Sequence, residues 1–280
     1  MKQTFERIFK MHSPDYEFLL QRMRTALGVD EVGFSDITSV NMIKFREYMM
    51  GEVANNSLKT YFAVIKSVIN ICHGDGLIKS NKCVSELHVK AEPQQNVALT
   101  HDEIKLFEEY YDNLDGFAHT TEKDVLTLFL MEIYCGARGI DCEALTLSNL
   151  SDGKLSYVSK KTRVLAVLPA HKRMEYLISH KPHKQYSRVT KNRIVKEVAR
   201  KCGITYPVSI FYHGKQVTKP KYELLSLHCA RRSFVSNLID MGVPITAVSK
   251  LAGHKSVSMT QRYYVTQDIQ LDTKAMAFFG

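Results

Sequence analysis

Residues 125–169 read VLTLFLMEIYCGARGIDCEALTLSNLSDGKLSYVSKKTRVLAVLP, and this stretch decides the fold class. Its first part, 125–134, is a dense apolar run that is long enough for a buried helix. Two β-rich runs follow, LSYVS and VLAVLP, and the polar tetrad KKTR at 160–163 joins them. Such runs predict a hairpin with a basic tip. The stretch therefore predicts a mainly α-helical protein with one small antiparallel β-sheet.

Helical patterns flank this stretch on both sides. Towards the C-terminus, apolar spacing predicts helices over residues 190–201, 229–241 and 244–252. Residues 206–221 are predicted to form a basic hairpin or loop. Towards the N-terminus, we predict helices that start at Ser13-Pro14, after Thr38-Ser39 and at Ser57.

A polar linker divides the chain. Residues 88–98 read HVKAEPQQNVA, with a proline and little apolar content, which is typical of an extended connection between domains. Thr100 and Glu103 then give the pattern of a capping box, so a new helix is expected there. A chain of 280 residues is long enough for two cores. We predict a helical domain over residues 1–92 and an α-rich domain over residues 97–280.

The composition is that of an ordinary globular protein with a basic balance. Lys and Arg number 38 against 29 Asp and Glu, a formal charge of +9, which favours a polyanionic partner. No apolar run reaches the roughly 20 residues that cross a bilayer, and the N-terminal residues do not read as a secretory signal. The six cysteines show no CxxC pair or zinc spacing, so free thiols are expected. These features predict a cytoplasmic protein without a membrane partner.

Four separated fragments carry candidate chemistry. CGARGIDCEAL contains Arg138, LAGHKS contains His254, and MTQRYY contains Tyr263. In SLHCARRSF, His228 and Arg231 stand three residues apart, so on a helix they share one face. Guanidinium groups bind phosphate oxygens with paired hydrogen bonds, and an imidazole donates a hydrogen bond or transfers a proton near neutral pH. No single fragment specifies a reaction by itself.

In order and spacing, these fragments resemble the catalytic domain of the tyrosine recombinase, or phage integrase, family. That domain carries an Arg in a small-residue turn, a hairpin Lys, the pattern H-x-x-R, a late His after small residues, and a Tyr nine positions further on. Tyr263 stands at that spacing from His254, and Asp141 and Thr260 also agree with the family context. The CGA turn and Ala252 depart from it, since the family more often has Thr-Gly-Leu and Leu there.

The resemblance implies a fold and an activity. The fold is an N-terminal helical core-binding domain followed by an α-rich catalytic domain. The activity is site-specific recombination, in which Tyr263 becomes joined to a DNA 3′ phosphate and Lys161 protonates the departing 5′ oxygen. No metal, ATP or other cofactor is implied. The implied catalytic residues are Arg138, Lys161, His228, Arg231, His254 and Tyr263.

The implied partners are double-stranded DNA, further copies of the chain and accessory factors. Recombination of this type uses a homo-oligomer on DNA, normally a tetramer in the synapse, and the apolar tail residues such as Ile269 and Phe278 would dock on a neighbouring subunit. DNA-bending or directionality factors are further candidate partners. The predicted DNA contacts are Lys59, Lys66, Lys160, Arg163 and Arg232.

Several alternatives stay open at the level of sequence. Tyr264 replaces Tyr263 if the spacing shifts by one, and Lys160 competes with Lys161 because hairpin registers are hard to read. The pattern around Lys59 and Lys66 alone favours a solvated helix face over a DNA contact. Rival functions are a type IB topoisomerase-like enzyme, a catalytically silent DNA-binding relative and a metal-dependent nuclease, although the last would require a carboxylate cluster.

Overall fold

The structure is a computed structural model that describes residues 4–90, 97–115, 119–212 and 215–264. The chain divides into two compact units, residues 1–94 with 211–217 and residues 95–210 with 218–280. The exact domains expected from the sequence, 1–92 and 97–280, stay a prediction. Linker residues 91–96 and the apolar tail from residue 265 lie outside the described residues.

Helices dominate residues 4–90 of the first unit, and its second segment, 211–217, contributes strand residues instead. Thr38 caps α3 by accepting a hydrogen bond from the backbone of Asn41, as the sequence predicted. The face of α4 that carries Leu58, Phe62 and Ile65 is buried, because these residues recur at helical spacing. The helices are α1 (Phe5–His12), α2 (Phe18–Leu27), α3 (Ser39–Glu52) and α4 (Asn55–Gly74).

The start of the chain differs from the sequence prediction. A helix, α1, precedes Ser13, and the predicted helix at Ser13-Pro14 is only a 3-10 turn over Pro14–Tyr16, with α2 beginning at Phe18. The predicted start was wrong, since the Ser13 side chain makes no capping hydrogen bond, but the predicted helix is present as α2 and buries Leu19, Leu20 and Met23 as expected. Thr4 supplies the first cap instead by accepting from the backbone of Arg7.

The second unit surrounds the apolar run of residues 125–134. This run lies in α6, which is buried along most of its length and packs against α11. The capping box of Thr100 and Glu103 begins α5, as predicted. The helices are α5 (His101–Asp112), α6 (Thr120–Cys135), α7 (Gly139–Cys142), α8 (Met174–Ser179), α9 (Arg188–Lys201), α10 (Lys221–Leu224), α11 (Leu227–Asp240), α12 (Ile245–Leu251) and α13 (Val257–Tyr263).

The described residues form two small sheets, where the sequence predicted one sheet and a hairpin or loop over residues 206–221. The predicted hairpin is confirmed as the β2–β3 pair of a three-stranded antiparallel sheet, with Leu155 opposite Leu168 and both side chains buried. Residues 206–221 add a separate two-stranded sheet. The strands are β1 (Leu150–Ser151), β2 (Lys154–Val158), β3 (Leu165–Pro169), β4 (Pro207–Tyr212) and β5 (Lys215–Pro220).

The fold class expected from the sequence, mainly α-helical with small antiparallel sheet, is confirmed. The six cysteines are free thiols. Over the described residues, we find no helix with the length and apolarity that a membrane span requires.

Candidate active site

The turn after α6 presents Arg138. Gly136 ends α6 with φ of +60°, a conformation that residues with a side chain rarely adopt. A Cβ at this position would lie 2.2 Å from Cδ1 of Phe234 on α11, so the turn has no room for a side chain here. Arg138 follows in extended conformation as the residue before α7, and it is half-buried.

A buried acid and a hydroxyl connect Arg138 to the β2–β3 hairpin. The Nη1 group of Arg138 donates to Ser159 Oγ at 2.9 Å, and Ser159 Oγ donates to Asp141 Oδ2 at 2.9 Å. The other oxygen of Asp141 accepts from the backbone N–H of Lys160 at 2.9 Å. Asp141 and Ser159 are both buried, and the hairpin and the arginine turn are therefore held in one hydrogen-bonded unit.

The tip of the hairpin is also joined to the turn after α12. Thr162 donates from its hydroxyl to the carbonyl of Gly253 at 3.2 Å. Lys160, Lys161 and Arg163 are exposed at this tip. Within the described residues, the ammonium groups of Lys160 and Lys161 make no hydrogen bond or ion pair, so the choice between these two lysines stays open.

Helix α11 carries His228 and Arg231 on one face, as their spacing predicted. Arg231 is almost completely buried, and its Nη1 group donates to the carbonyl of Gly136. Its Nε and Nη2 groups are also buried, yet neither has a hydrogen-bond partner among the described residues. Buried donors are normally paired, so this half of the guanidinium is available for an anion.

His254 lies directly after the C-terminal turn of α12 and presents a third unpaired nitrogen. Its backbone N–H donates to the carbonyl of Ser249, and its Nδ1 lies 2.9 Å from Thr260 Oγ1. The Nε2 atom is buried without a partner in the described parts of the chain. Gly253, with φ of +62°, allows the chain to turn just before the histidine.

The ring of Tyr263 lies against the side chains of His228, Arg231 and His254. The ring centroids are 5.1 Å from His228 and 4.8 Å from His254, and Cζ of Arg231 is 5.3 Å from the centre of the tyrosine ring. Arg138 reaches the same helix, with its Nη2 group 3.9 Å from Sδ of Met259 on α13. His228, Arg231 and His254 therefore converge on Tyr263, and Arg138 contacts the helix that carries it.

The electrostatics of this cluster favour an anion. Burial, together with repulsion from Arg232 and Arg231, lowers the pKa of His228 to about 4. Burial and repulsion from Arg231 and Arg138 lower the pKa of His254 to about 3. Burial and the charge of Arg138 also lower the pKa of Arg231. Burial is the largest cause of each shift, and repulsion between neighbouring positive charges, which a bound phosphate would offset, adds to it.

Buried unpaired polar atoms are concentrated here. Among the described residues these atoms are Nε and Nη2 of Arg231, Nε2 of His254 and the hydroxyl of Tyr157 on β2. The Tyr157 hydroxyl is within electrostatic range of Arg231, and burial raises its pKa. The fold thus leaves hydrogen-bonding capacity unused at one place, which is typical of a binding site seen without its ligand.

The remaining residues that the sequence singled out are Tyr264, Arg232, Lys59 and Lys66. The hydroxyl of Tyr264 donates to Oδ1 of Asp240 at 2.9 Å, whereas Tyr263 carries the ring that contacts the histidines. Arg232 is half-buried next to Arg231 and contributes to the electrostatic field at His228. Lys59 is exposed and Lys66 half-buried on α4 of the first unit, and their role as DNA contacts stays a prediction.

Sequence reasoning missed the residues that support the charged groups. Ser159 and Thr162 belong to a hairpin tip whose lysines drew attention, and only the fold shows that their hydroxyls bind Asp141 and Gly253. Thr260 lies three residues before the tyrosine in the quoted motif, but nothing in that motif indicated its contact with His254. Across the described ranges, no three His, Cys, Asp or Glu side chains are grouped as ligands for a metal ion.

Comparison with known proteins gives this cluster a family context. The family model described as "Phage integrase family" matches residues 65–269, which include every residue of the cluster. Short segments are similar to tyrosine recombinase XerC: 43% identical over 51 residues for the protein of Rickettsia bellii (strain RML369-C), and 52% over 44 residues for that of Treponema denticola. These segments cover 18% and 16% of the chain, and only 17% and 14% of the respective relatives.

Solved structures share the fold over almost the whole chain. A lambda integrase (residues 75–356) dimer bound to a COC′ core site has a TM-score of 0.68 at 16% identity, with 95% of this chain and 94% of that chain covered. The Tn1549 transposon integrase in complex with a circular intermediate DNA has a TM-score of 0.66 at 13% identity, with 99% of each chain covered. Because the family model spans well over half of the sequence, the chain belongs to the phage integrase family.

Proposed function

We propose that this chain is a site-specific DNA recombinase that cleaves and rejoins strands through a covalent bond between Tyr263 and a 3′ phosphate. The observation that carries the proposal is the set of unpaired, buried donors on Arg231 and His254 next to the tyrosine ring. Family membership supports it. Cleavage of this kind requires cations around the phosphate and a nearby nucleophile, and the cluster provides both.

In the proposed reaction, the phenolic oxygen of Tyr263 attacks phosphorus and the bond to the 5′ oxygen breaks. Arg138 and Arg231 hold the nonbridging oxygens, on which negative charge increases in the transition state. We assign acceptance of the phenolic proton to His228, whose ring meets the tyrosine ring edge to face. The phosphate charge would raise the depressed pKa of this histidine and make it a better base.

The leaving 5′ oxygen takes its proton from the hairpin, and we assign this step to Lys161. Hydrogen bonds from Arg138 to Ser159 and from Lys160 N–H to Asp141 hold the hairpin beside the phosphate site. Rejoining runs the same steps backwards with a 5′ hydroxyl as the nucleophile. One phosphoester replaces another at each step, so the proposal requires neither ATP nor a metal.

The proposed partners follow from the same chemistry. The polyanionic substrate is double-stranded DNA, and the net charge of +9 and the exposed cations Lys160 and Arg163 support this assignment. We further propose that several copies of the chain, a tetramer in the synapse, assemble on two DNA sites. Accessory DNA-bending or directionality factors and a cytoplasmic location, which the free thiols support, belong to this proposal as well.

The decisive experiment traps the covalent intermediate. The full chain is incubated in EDTA with nicked duplexes that were selected from a randomised pool for binding to the same protein, and the mixture is then denatured. We expect a protein–DNA adduct with wild type and none with Tyr263→Phe, while Tyr264→Phe retains it. An adduct in Tyr263→Phe would overturn the assignment of the nucleophile, and cleavage that EDTA abolishes would indicate a metal nuclease.

The general acid is tested with a second leaving group. Lys161→Ala is expected to slow adduct formation by about 10²-fold or more on a normal 5′ oxygen, because proton transfer contributes on that order. The same variant should react at the wild-type rate when a 5′ sulfur, which leaves without a proton, replaces that oxygen. Lys160→Ala is the matched control. If Lys160→Ala shows this pattern instead, the assignment moves to Lys160.

A further inference from the structure

Thr260 is the hydroxyl-bearing neighbour of the His254 imidazole. It lies on α13, three residues before Tyr263, and its side chain is completely buried. Its Oγ1 is 2.9 Å from Nδ1 of His254, while the opposite nitrogen, Nε2, is buried without a partner in the described parts of the chain. The two nitrogens of one ring therefore have different surroundings.

The charge state of His254 makes the direction of this hydrogen bond important. Burial disfavours the imidazolium, and the groups within electrostatic range, Arg231, Arg138 and His228, add to this effect. A neutral imidazole carries a proton on only one nitrogen, so the bond at Nδ1 decides whether Nε2 is a donor or an acceptor.

The surroundings of Thr260 favour the hydroxyl as the donor. Within the described residues, Nδ1 of His254 is the one hydrogen-bond partner found for the Thr260 hydroxyl. If Nδ1 kept the proton, the buried hydroxyl hydrogen would be left without an acceptor, which is costly. If the hydroxyl donates to Nδ1, both groups are satisfied and the ring proton lies on Nε2.

The proton on Nε2 would add a hydrogen-bond donor to the unpaired donors of Arg231. The ring of His254 contacts the Tyr263 ring, as does the guanidinium of Arg231, whose Nε and Nη2 groups also lack partners among the described residues. An Nε2–H would add a neutral donor to this set. An unprotonated Nε2 would instead turn a lone pair towards an incoming phosphate oxygen and repel it.

We propose that Thr260 is a positioning residue that fixes the Nε2–H tautomer of His254 and thereby supplies a donor for a nonbridging phosphate oxygen. The donor's use rests on the proposed function, whereas the tautomer itself is a property of the free protein. The hydroxyl is the required group. Serine at position 260 should therefore preserve the tautomer, whereas valine, which has the same shape as threonine without a hydroxyl, should not.

The tautomer is measured by ¹⁵N NMR on the DNA-free full chain with labelled histidine, since the protonated and unprotonated ring nitrogens resonate far apart. The His254 signals are assigned with His254→Gln. We expect protonated Nε2 and bare Nδ1 in wild type and in Thr260→Ser, and the other tautomer or a mixture in Thr260→Val. A wild-type signal from protonated Nδ1 would overturn the proposal, as would an unchanged tautomer in Thr260→Val.

Cleavage provides the second readout. Thr260→Val is expected to slow adduct formation by about 10-fold or more, since loss of one preorganised donor costs on the order of 10²-fold to 10³-fold. On nicked duplexes in which a methyl group replaces the nonbridging oxygen facing His254, wild type and Thr260→Val should react equally. Unequal rates with both methylphosphonate isomers would overturn the proposed donor. Absence of any adduct in wild type would contradict the proposed function and leave the tautomer result intact.

Discussion

Individual hydroxyl groups connect the cationic side chains to the fold. Ser159 accepts from Arg138 and donates to Asp141, so a single side chain both orients the guanidinium and anchors the hairpin. The guanidinium of Arg138 binds a phosphate well only in one orientation, because the strength of this contact depends on geometry as well as on charge. The hydroxyl therefore contributes to function without touching the substrate.

This arrangement makes a prediction for Ser159→Ala. We expect adduct formation to fall by about 10-fold or more, because loss of geometry at a reacting group is costly. The free energy of unfolding should fall by about 1–3 kcal/mol, since an oxygen of the buried Asp141 loses its partner. Denaturation of samples at successive times measures the rate of adduct formation, and urea unfolding measures the stability.

Ser156→Ala is the matched control for this prediction. Ser156 is exposed on β2, the strand that ends one residue before Ser159, and its substitution should change neither quantity. Wild-type cleavage by Ser159→Ala would contradict the role of this hydroxyl in orienting Arg138.

At the scale of elements, the ends of two helices decide where the functional groups lie. Gly136 ends α6 and Gly253 follows α12, both with positive φ, and Arg138 and His254 follow within two residues. A left-handed residue lets the chain leave a helix abruptly. These turns therefore direct a charged side chain and an imidazole to the same side of the core.

The turn at Gly136 can be tested against a second glycine. Gly136→Ala must bear the strain of φ +60° and a contact of 2.2 Å with Phe234, whereas Gly153, at φ +71° in the β1–β2 turn, has open space around it. We expect Gly153→Ala to cost about 1–2 kcal/mol of unfolding free energy. Gly136→Ala should cost clearly more and should reduce adduct formation as Arg138 is displaced.

Urea unfolding of both variants separates backbone strain from packing. Both alanines would have a positive φ, but only the one at position 136 would meet Phe234. Equal losses of stability would show that Phe234 moves aside without cost and would contradict the packing argument. If the contact is responsible, the loss in Gly136→Ala combined with Phe234→Ala should be smaller than the sum of the two single losses.

At the scale of the whole molecule, positive charge is carried by both units. Lys59 and Lys66 lie on α4 of the first unit, and the hairpin cations Lys160 and Arg163 belong to the second. A DNA contact and a solvated helix face give the same sequence pattern, but they differ in the counterions released on binding.

Salt dependence distinguishes these two roles. If Lys59 and Lys66 each contact a DNA phosphate, their substitution by alanine should lower the slope of log K against log salt concentration by about 1 per residue. Fluorescence anisotropy over a range of salt concentrations measures the slope. Lys10→Ala is the control, because Glu17 pairs with that lysine at 2.7 Å. An unchanged slope in Lys59→Ala and Lys66→Ala would indicate a solvated face.

Local sequence patterns determined much of the fold. Thr38 capped a helix as expected, the apolar run at 125–134 formed a buried helix, and the runs around residues 160–163 paired as a hairpin. Each of these outcomes depends on neighbours within a few residues, so spacing and composition predict it. Helix α1 was missed because Ser13-Pro14 matched the pattern of a helix start better than Thr4 did.

By itself, the sequence determined which residue types are present and in which order, and this was sufficient to nominate Arg231, His254 and Tyr263. Only the tertiary structure decided that they converge, that Nε and Nη2 of Arg231 remain unpaired, and that Ser159 and Thr260 support them. The physical reason is the range of the interactions. Helix and strand patterns are local, whereas Arg138 meets Ser159 and Met259 across distant parts of the chain, and packing alone fixes such contacts.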